Sequence, residues 1–174
     1  MGWLWNQVHH IFDIDDGSFP EICICGLSAD QVSNAYRFIR QIASYVVGSP
    51  RFFNRETGCE MGIDEVENAA LLVCEKKASP FHFMLRSLKH PPGIIHELGV
   101  FVLDNAIALD YEKGPVWGER EIEALLQIIL KIRGNTPGPF VKLEETVSRE
   151  DRQLLNDSLD RLASGTDDQG ILFV

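Results

Sequence analysis

Two apolar runs separated by one tight turn constrain this chain more than any other feature. Leu98-Gly-Val-Phe-Val-Leu-Asp104 and Ala106-Ile-Ala-Leu-Asp-Tyr111 meet at Asp104-Asn105. Runs this rich in Val, Ile, Leu and Phe suit a pleated, buried surface, and Asp and Asn tolerate the left-handed backbone of a two-residue turn. The spacing predicts a β-hairpin. A lone hairpin is marginal in water, so more strands and a covering layer are required.

The rest of the chain supplies both. After Pro80, Phe81, Phe83 and Leu85 alternate with His82, Met84 and Arg86, which is the period of a strand with one buried face. His90-Pro-Pro-Gly93 is expected to break that strand and open a loop. Residues 21–27 read as a short strand that puts Cys23 and Cys25 on one face and Ile22 and Ile24 on the other. Ser28-Ala-Asp-Gln31 is a capping box, in which the serine oxygen accepts from the third helical amide and the glutamine reaches back. Val32, Ala35, Tyr36, Ile39, Ile42, Ala43 and Val46 then recur at three- and four-residue steps, predicting a helix that ends near Gly48 and Pro50.

Weaker signals fill the gaps. Residues 51–54 resemble a short strand, 56–61 a turn, and 64–72 suit helix and strand equally. Glu119, Glu121 and Glu123 open a second strong helix, where the helix dipole favours carboxylates, and Ile122, Leu125, Leu126, Ile129 and Ile132 form its buried stripe. Lys131, Arg133 and Gly134 end it. Residues 140–143 read as a short strand, and Ser148 caps a last helix carrying Leu154, Leu155, Leu159 and Leu162. The first twelve residues read as a short amphipathic helix or an irregular cap, and residues 171–174 as an apolar tail. The helices segregate from the strands, which is the pattern of an α+β fold: a mostly antiparallel sheet with helices packed on one face, in a single globular domain over 1–174.

Charge narrows the partners. The 174 residues carry 16 basic and 26 acidic groups, a net charge of −10. That excess argues against a nucleic-acid surface, which needs clustered Lys and Arg, and against docking on an anionic membrane. It is spread along the chain, with 7 basic and 11 acidic groups in 1–87 against 9 and 15 in 88–174. No apolar stretch reaches 18 residues, and Asn6 stands where a myristoylation signal wants Ser or Thr, so the expected compartment is the cytoplasm.

Motifs for chemistry are missing. Neither glycine-rich phosphate loop occurs, nor G-x-S-x-G, nor H-E-x-x-H. Cys23, Cys25, Cys59 and Cys74 lack the spacing of a zinc site, and no cofactor or metal is expected. Asp13, Asp15 and Asp16 precede Gly17, but the glycine falls at the fifth position of a would-be calcium loop rather than the sixth. They read as an acidic turn that a basic partner could meet. Asp110 and Glu112 at the hairpin exit, with Trp117 beside them, form a second such patch, since aromatic residues next to carboxylates suit a protein-binding surface. Trp117 reads equally as core.

Pro80-Phe-His, the two hairpin runs, Gly114 and Trp117 resemble a pattern in small uncharacterised bacterial proteins, some of which look like immunity proteins of bacterial toxin systems. The resemblance covers residues 68–130. It implies a cytoplasmic protein that binds and neutralises a basic protein toxin without catalysis, and it transfers no site residue. Two other readings stand beside it. One is a small enzyme using carboxylates near Asp110, or Cys59 or Cys74 with His82 and Asp110. The other is a structural or regulatory subunit that self-associates into a homo-oligomer.

Overall fold

The computed structural model describes residues 2–165. In chain order its elements are α1 (Trp3–Phe12), β1 (Glu21–Cys25), α2 (Ala29–Ile42), β2 (Ala43–Val46), β3 (Arg51–Asn54), β4 (Cys59–Gly62) and α3 (Ala69–Cys74). Then follow β5 (Phe81–His90), β6 (Gly93–Val102), β7 (Ala106–Asp110), α4 (Glu119–Arg133), β8 (Phe140–Leu143) and α5 (Arg149–Ser164). Six strands form one sheet in the order β2-β5-β6-β7-β1-β8, and every pairing is antiparallel. β3 and β4 form a separate two-stranded ribbon. The fold is α+β, as the segregation of strands and helices predicts.

The predicted hairpin is present. Leu103 N–H donates to Ala106 O at 3.0 Å across Asp104-Asn105, and Leu27 N–H donates to Asn105 O, tying the end of β1 to the turn. The Ser28 capping box also forms, with Ser28 Oγ accepting from Gln31 N–H and Gln31 Oε1 from Ser28 N–H. α2 and α4 pack on one face of the sheet, against Ile22, Ile24, Phe83, Leu85, Val100, Ile107 and Leu109, all essentially inaccessible to water. α1 and α5 lie against α4 and each other, and α3 against α2. The opposite face of the sheet carries no helix among the described residues. On it stand Glu21, Cys23, Cys25, His82, Met84, Arg86, Phe101 and Asp110.

Three predicted boundaries change. The stripe through Val46 does not extend α2, which ends at Ile42. Ala43, Tyr45 and Val46 pair instead with Leu88, Arg86 and Leu85, because extended chain there satisfies the otherwise open edge of β5 as well as its own backbone. The turn over 56–61 contains strand residues: Asn54 Oδ1 accepts from Glu56 and Thr57 N–H to close a short loop, and Cys59–Gly62 returns alongside β3. His90-Pro-Pro-Gly93 opens no loop. β6 starts at once at Gly93, where a side chain would strike the Arg120 carbonyl of α4. The in-out alternation slips by one residue near Ser87, at φ +52°, so that Leu88 and Ile95 both turn inward. That slip hides the strand from a period-two reading. The ambiguous stretch over 64–72 divides: 64–67 turn, and 69–72 open α3, capped by the buried Asn68, whose Oδ1 accepts from Leu71 N–H while its Nδ2 donates to Ser33 Oγ. The expected helix near the start is α1, Trp3–Phe12, with Leu4, Val8, Ile11 and Phe12 buried. Residues 171–174, and Asp167 and Asp168, lie outside the described residues. Within them, no helix is long and apolar enough to cross a membrane.

Candidate functional site

The uncovered sheet face and the chain leaving β7 build one cleft. Asp110 ends β7 pointing to the open face, opposite Gly99 on β6. A Cβ on Gly99 would overlap both oxygens of the Asp110 carboxylate, so the glycine is what lets that carboxylate lie across β6. It thereby reaches His82 on the next strand: His82 Nε2 and Asp110 Oδ2 are 2.7 Å apart. Glu21 stands opposite Asp110 on β1. Burial, followed by the nearby Asp110 and Glu144 carboxylates, raises the Glu21 pKa, with His82 opposing.

Beyond Asp110 the chain turns through Tyr111-Glu-Lys-Gly-Pro-Val-Trp117 into α4. The turn is fixed from inside. Tyr111 and Trp117 are buried and pack on Phe12 with ring centroids 4.9 and 5.4 Å away, and Trp117 Nε1–H donates to Glu112 O at 2.8 Å. Gly114 N–H donates to Phe12 O. The result is a cleft of about 290 Å³ with Trp117, Ile95, Met84, Phe19 and Val116 as its apolar walls and Asp15, Glu97, Asp110, Glu112 and Glu121 as its carboxylates. Lys113 and His96 are the other titratable side chains at the cleft besides Tyr111. Phe19 is 59% and Val116 58% exposed at its mouth.

The charge of the cleft is only partly balanced. Glu97 pairs with Arg86 and Asp110 with His82. Lys113 Nζ is directed to Asp16, 2.7 Å away, and its side chain is nearly covered. Among the described residues, Asp15, Glu112 and Glu121 make no ion pair. Three carboxylates therefore face the apolar wall with no ion-pair partner among the described residues.

Of the residues expected to meet a partner, Asp15, Asp110, Glu112 and Trp117 converge on this one cleft, although Asp15 and Glu112 are 97 residues apart in sequence. Trp117 is its floor and part of the core at once. Asp13 and Asp16 point elsewhere. Asp13 Oδ2 is 3.0 Å from His9 Nδ1, while its Oδ1 is buried with no partner. Asp16 accepts from Lys113 Nζ, Ser18 N–H and Ser18 Oγ–H, and these donors hold its carboxyl well below the ordinary range. The three aspartates of the turn thus diverge and do not form a ligand set. Glu97, Phe19 and Val116 carry no local signal that distinguishes them from solvated or loop residues, and Glu121 reads in the sequence only as a helix-dipole carboxylate.

His82 and Asp110 are brought together, but neither cysteine joins them. Cys74 ends α3, on the helix-covered side, with its Sγ near Ala29 O. Cys59 lies on the ribbon, which packs through Phe52 on Phe81, also on the helical side.

Fold and cleft together define an α+β protein with an uncovered antiparallel sheet face and an acidic, apolar-walled cleft at its border. Comparison with protein-family models, curated proteins and solved structures found no match.

Proposed function

We propose that this chain is a cytoplasmic binding protein of the immunity type, which neutralises a basic protein toxin by contact and without catalysis. The observation that carries this reading is the cleft, in which Asp15, Glu112 and Glu121 lack cationic partners beside exposed Phe19 and Val116. An Arg or Lys side chain suits such a site. Its alkyl stem packs on the exposed Phe19 and Val116 while its head meets the unpaired carboxylates. Phe19 and Val116 supply the apolar contact that gives a small interface most of its affinity, and the net charge of −10 speeds encounter with a cationic partner. The resemblance of residues 68–130 to small uncharacterised bacterial proteins, some of which look like immunity proteins, is in keeping with this reading.

The test is co-expression with the product of the adjacent gene in the native operon. The expected result is a complex on gel filtration and rescue of growth. Reversing Asp15 and Glu112 to Lys together with Glu121→Gln, which spares the α4 first turn a cation, should abolish both while leaving the fold intact by circular dichroism. Absence of a complex and of rescue by the wild-type chain refutes the reading.

A second reading is favoured by the 2.7 Å His82–Asp110 pair, the arrangement by which a carboxylate orients an imidazole for base catalysis. His82 itself does not line the cleft. His82→Gln separates the two readings: it leaves neutralisation intact in a binding protein and abolishes turnover in an enzyme.

A further inference from the structure

The other feature of the open sheet face is a pair of thiols. Cys23 and Cys25 sit two residues apart on β1, so both side chains leave the strand on the same side, and their sulfurs are 2.7 Å apart. The strand cannot rotate to part them. Ile22 and Ile24, on the opposite face, are fully buried, and β1 is hydrogen-bonded on both edges, to β7 and to β8. Their cross-strand neighbours on β7 are Ala108 and Ala106, whose small side chains leave the thiols partly open to solvent. Cys59 and Cys74 lie on the other side of the sheet and compete with neither.

We propose that Cys23 and Cys25 form a reversible dithiol–disulfide site, oxidised by low-molecular-weight disulfides of the glutathione class. Ligand count separates this from metal binding. A zinc ion needs two further ligands beside the two thiolates, and among the described residues no group of three or more His, Cys, Asp and Glu side chains is placed to hold a metal. A disulfide needs only the two thiols that the strand holds side by side. Residues two apart on a strand have Cα atoms about 6.6–6.8 Å apart, at the long end of what a disulfide spans, so the closed form is readily reopened by thiols.

Burial and the adjoining Cys25 push the Cys23 thiol up, which suits Cys23 to the second, resolving step. The Cys25 thiolate attacks one sulfur of the small disulfide and expels one thiolate, which takes a proton. Cys23 then loses its proton and attacks Cys25 Sγ in the mixed disulfide, expelling the second small thiol. The protein gives up two electrons and two protons, and the small disulfide takes both to become two thiols. Lys142, which faces Cys23 across the β1–β8 pairing, favours the developing Cys23 thiolate.

The test maps thiols in the full chain after incubation with mixtures of oxidised and reduced glutathione and trapping by alkylation. Both cysteines fall in one tryptic fragment, 1–37. That fragment should lose the mass of two hydrogens, resist alkylation at both positions, retain no glutathione, and revert when reduced glutathione is in excess. In Cys23→Ser, glutathione should stay on Cys25, at a population roughly ten-fold or more above wild type, because the resolving thiol is held at high effective concentration. Independent alkylation of both thiols in wild type, or stable glutathione adducts on them, overturns the proposal whether or not the variant folds. So does stoichiometric cadmium(II) binding through both sulfurs with no closure under oxidised glutathione.

Discussion

Gly99→Ala isolates the contact that makes the site. The backbone at Gly99 is an ordinary strand, so alanine meets no conformational penalty there and on backbone entropy alone gains about 0.5–1 kcal/mol. Its methyl group, however, falls on the Asp110 carboxylate, which must leave its place over β6 and release His82. The lost pair is half-exposed, so it contributes about 0.5–1 kcal/mol, and crowding a tightly filled position adds about 1–2 kcal/mol. The net expectation is destabilisation by about 1–2 kcal/mol. In an Asp110→Ala background the obstacle is gone, and the same substitution should be neutral or stabilising. Urea denaturation of the four proteins of this cycle, at unchanged m-value, should give a coupling of about 2 kcal/mol between positions 99 and 110. Additivity within about 0.5 kcal/mol would refute the claim that Gly99 exists to seat that carboxylate.

Three other outcomes follow from the same geometry. Trp117→Ala should cost about 3–5 kcal/mol in a thermal or urea melt, since it removes the cleft floor packed on Phe12 and Tyr111 and strands the Glu112 carbonyl; a surface role would leave stability unchanged. Tyr111→Phe should cost about 0.5–1.5 kcal/mol through loss of the buried bond to Ile11 O. Burial holds the Tyr111 hydroxyl well above the ordinary tyrosine range, so its contribution is full below the unfolded value near pH 10 and falls as pH rises beyond it, and the alkaline loss of stability should be smaller in the phenylalanine variant. Glu21 is raised by burial and by Asp110, so the stability tied to its protonated form is present at low pH and lost as pH rises through its folded value; Glu21→Gln should therefore melt higher than wild type at pH 7 and equally at pH 3.

Much of the candidate site was legible as residue types and little of it as geometry. Asp15, Asp110, Glu112 and Trp117 stood out because carboxylates and an aromatic ring gathered at turns with no helix dipole to explain them. Which of the acidic turn's aspartates faces the cleft could not be read, because Asp13 and Asp16 are engaged by His9 and Lys113, one set by helical spacing and the other by a contact 97 residues away. The His82–Asp110 pair spans two strands and depends on a missing side chain at Gly99 on the strand between, which no local pattern announces.

Local signals in the chain suffice for the Asp104-Asn105 hairpin, the capping box at Ser28, the α4 stripe, and the shared face of Cys23 and Cys25. Each depends on backbone period or on a bond spanning a few residues, so neighbouring side chains specify it. Long-range packing sets the end of α2, the early start of β6, the convergence of Asp15 with Glu112, and the meeting of His82 with Asp110. Those depend on which strand edge needs a partner, where α4 crosses Gly93, and how far a carboxylate can lean. Such quantities exist only once the sheet is assembled in the order β2-β5-β6-β7-β1-β8.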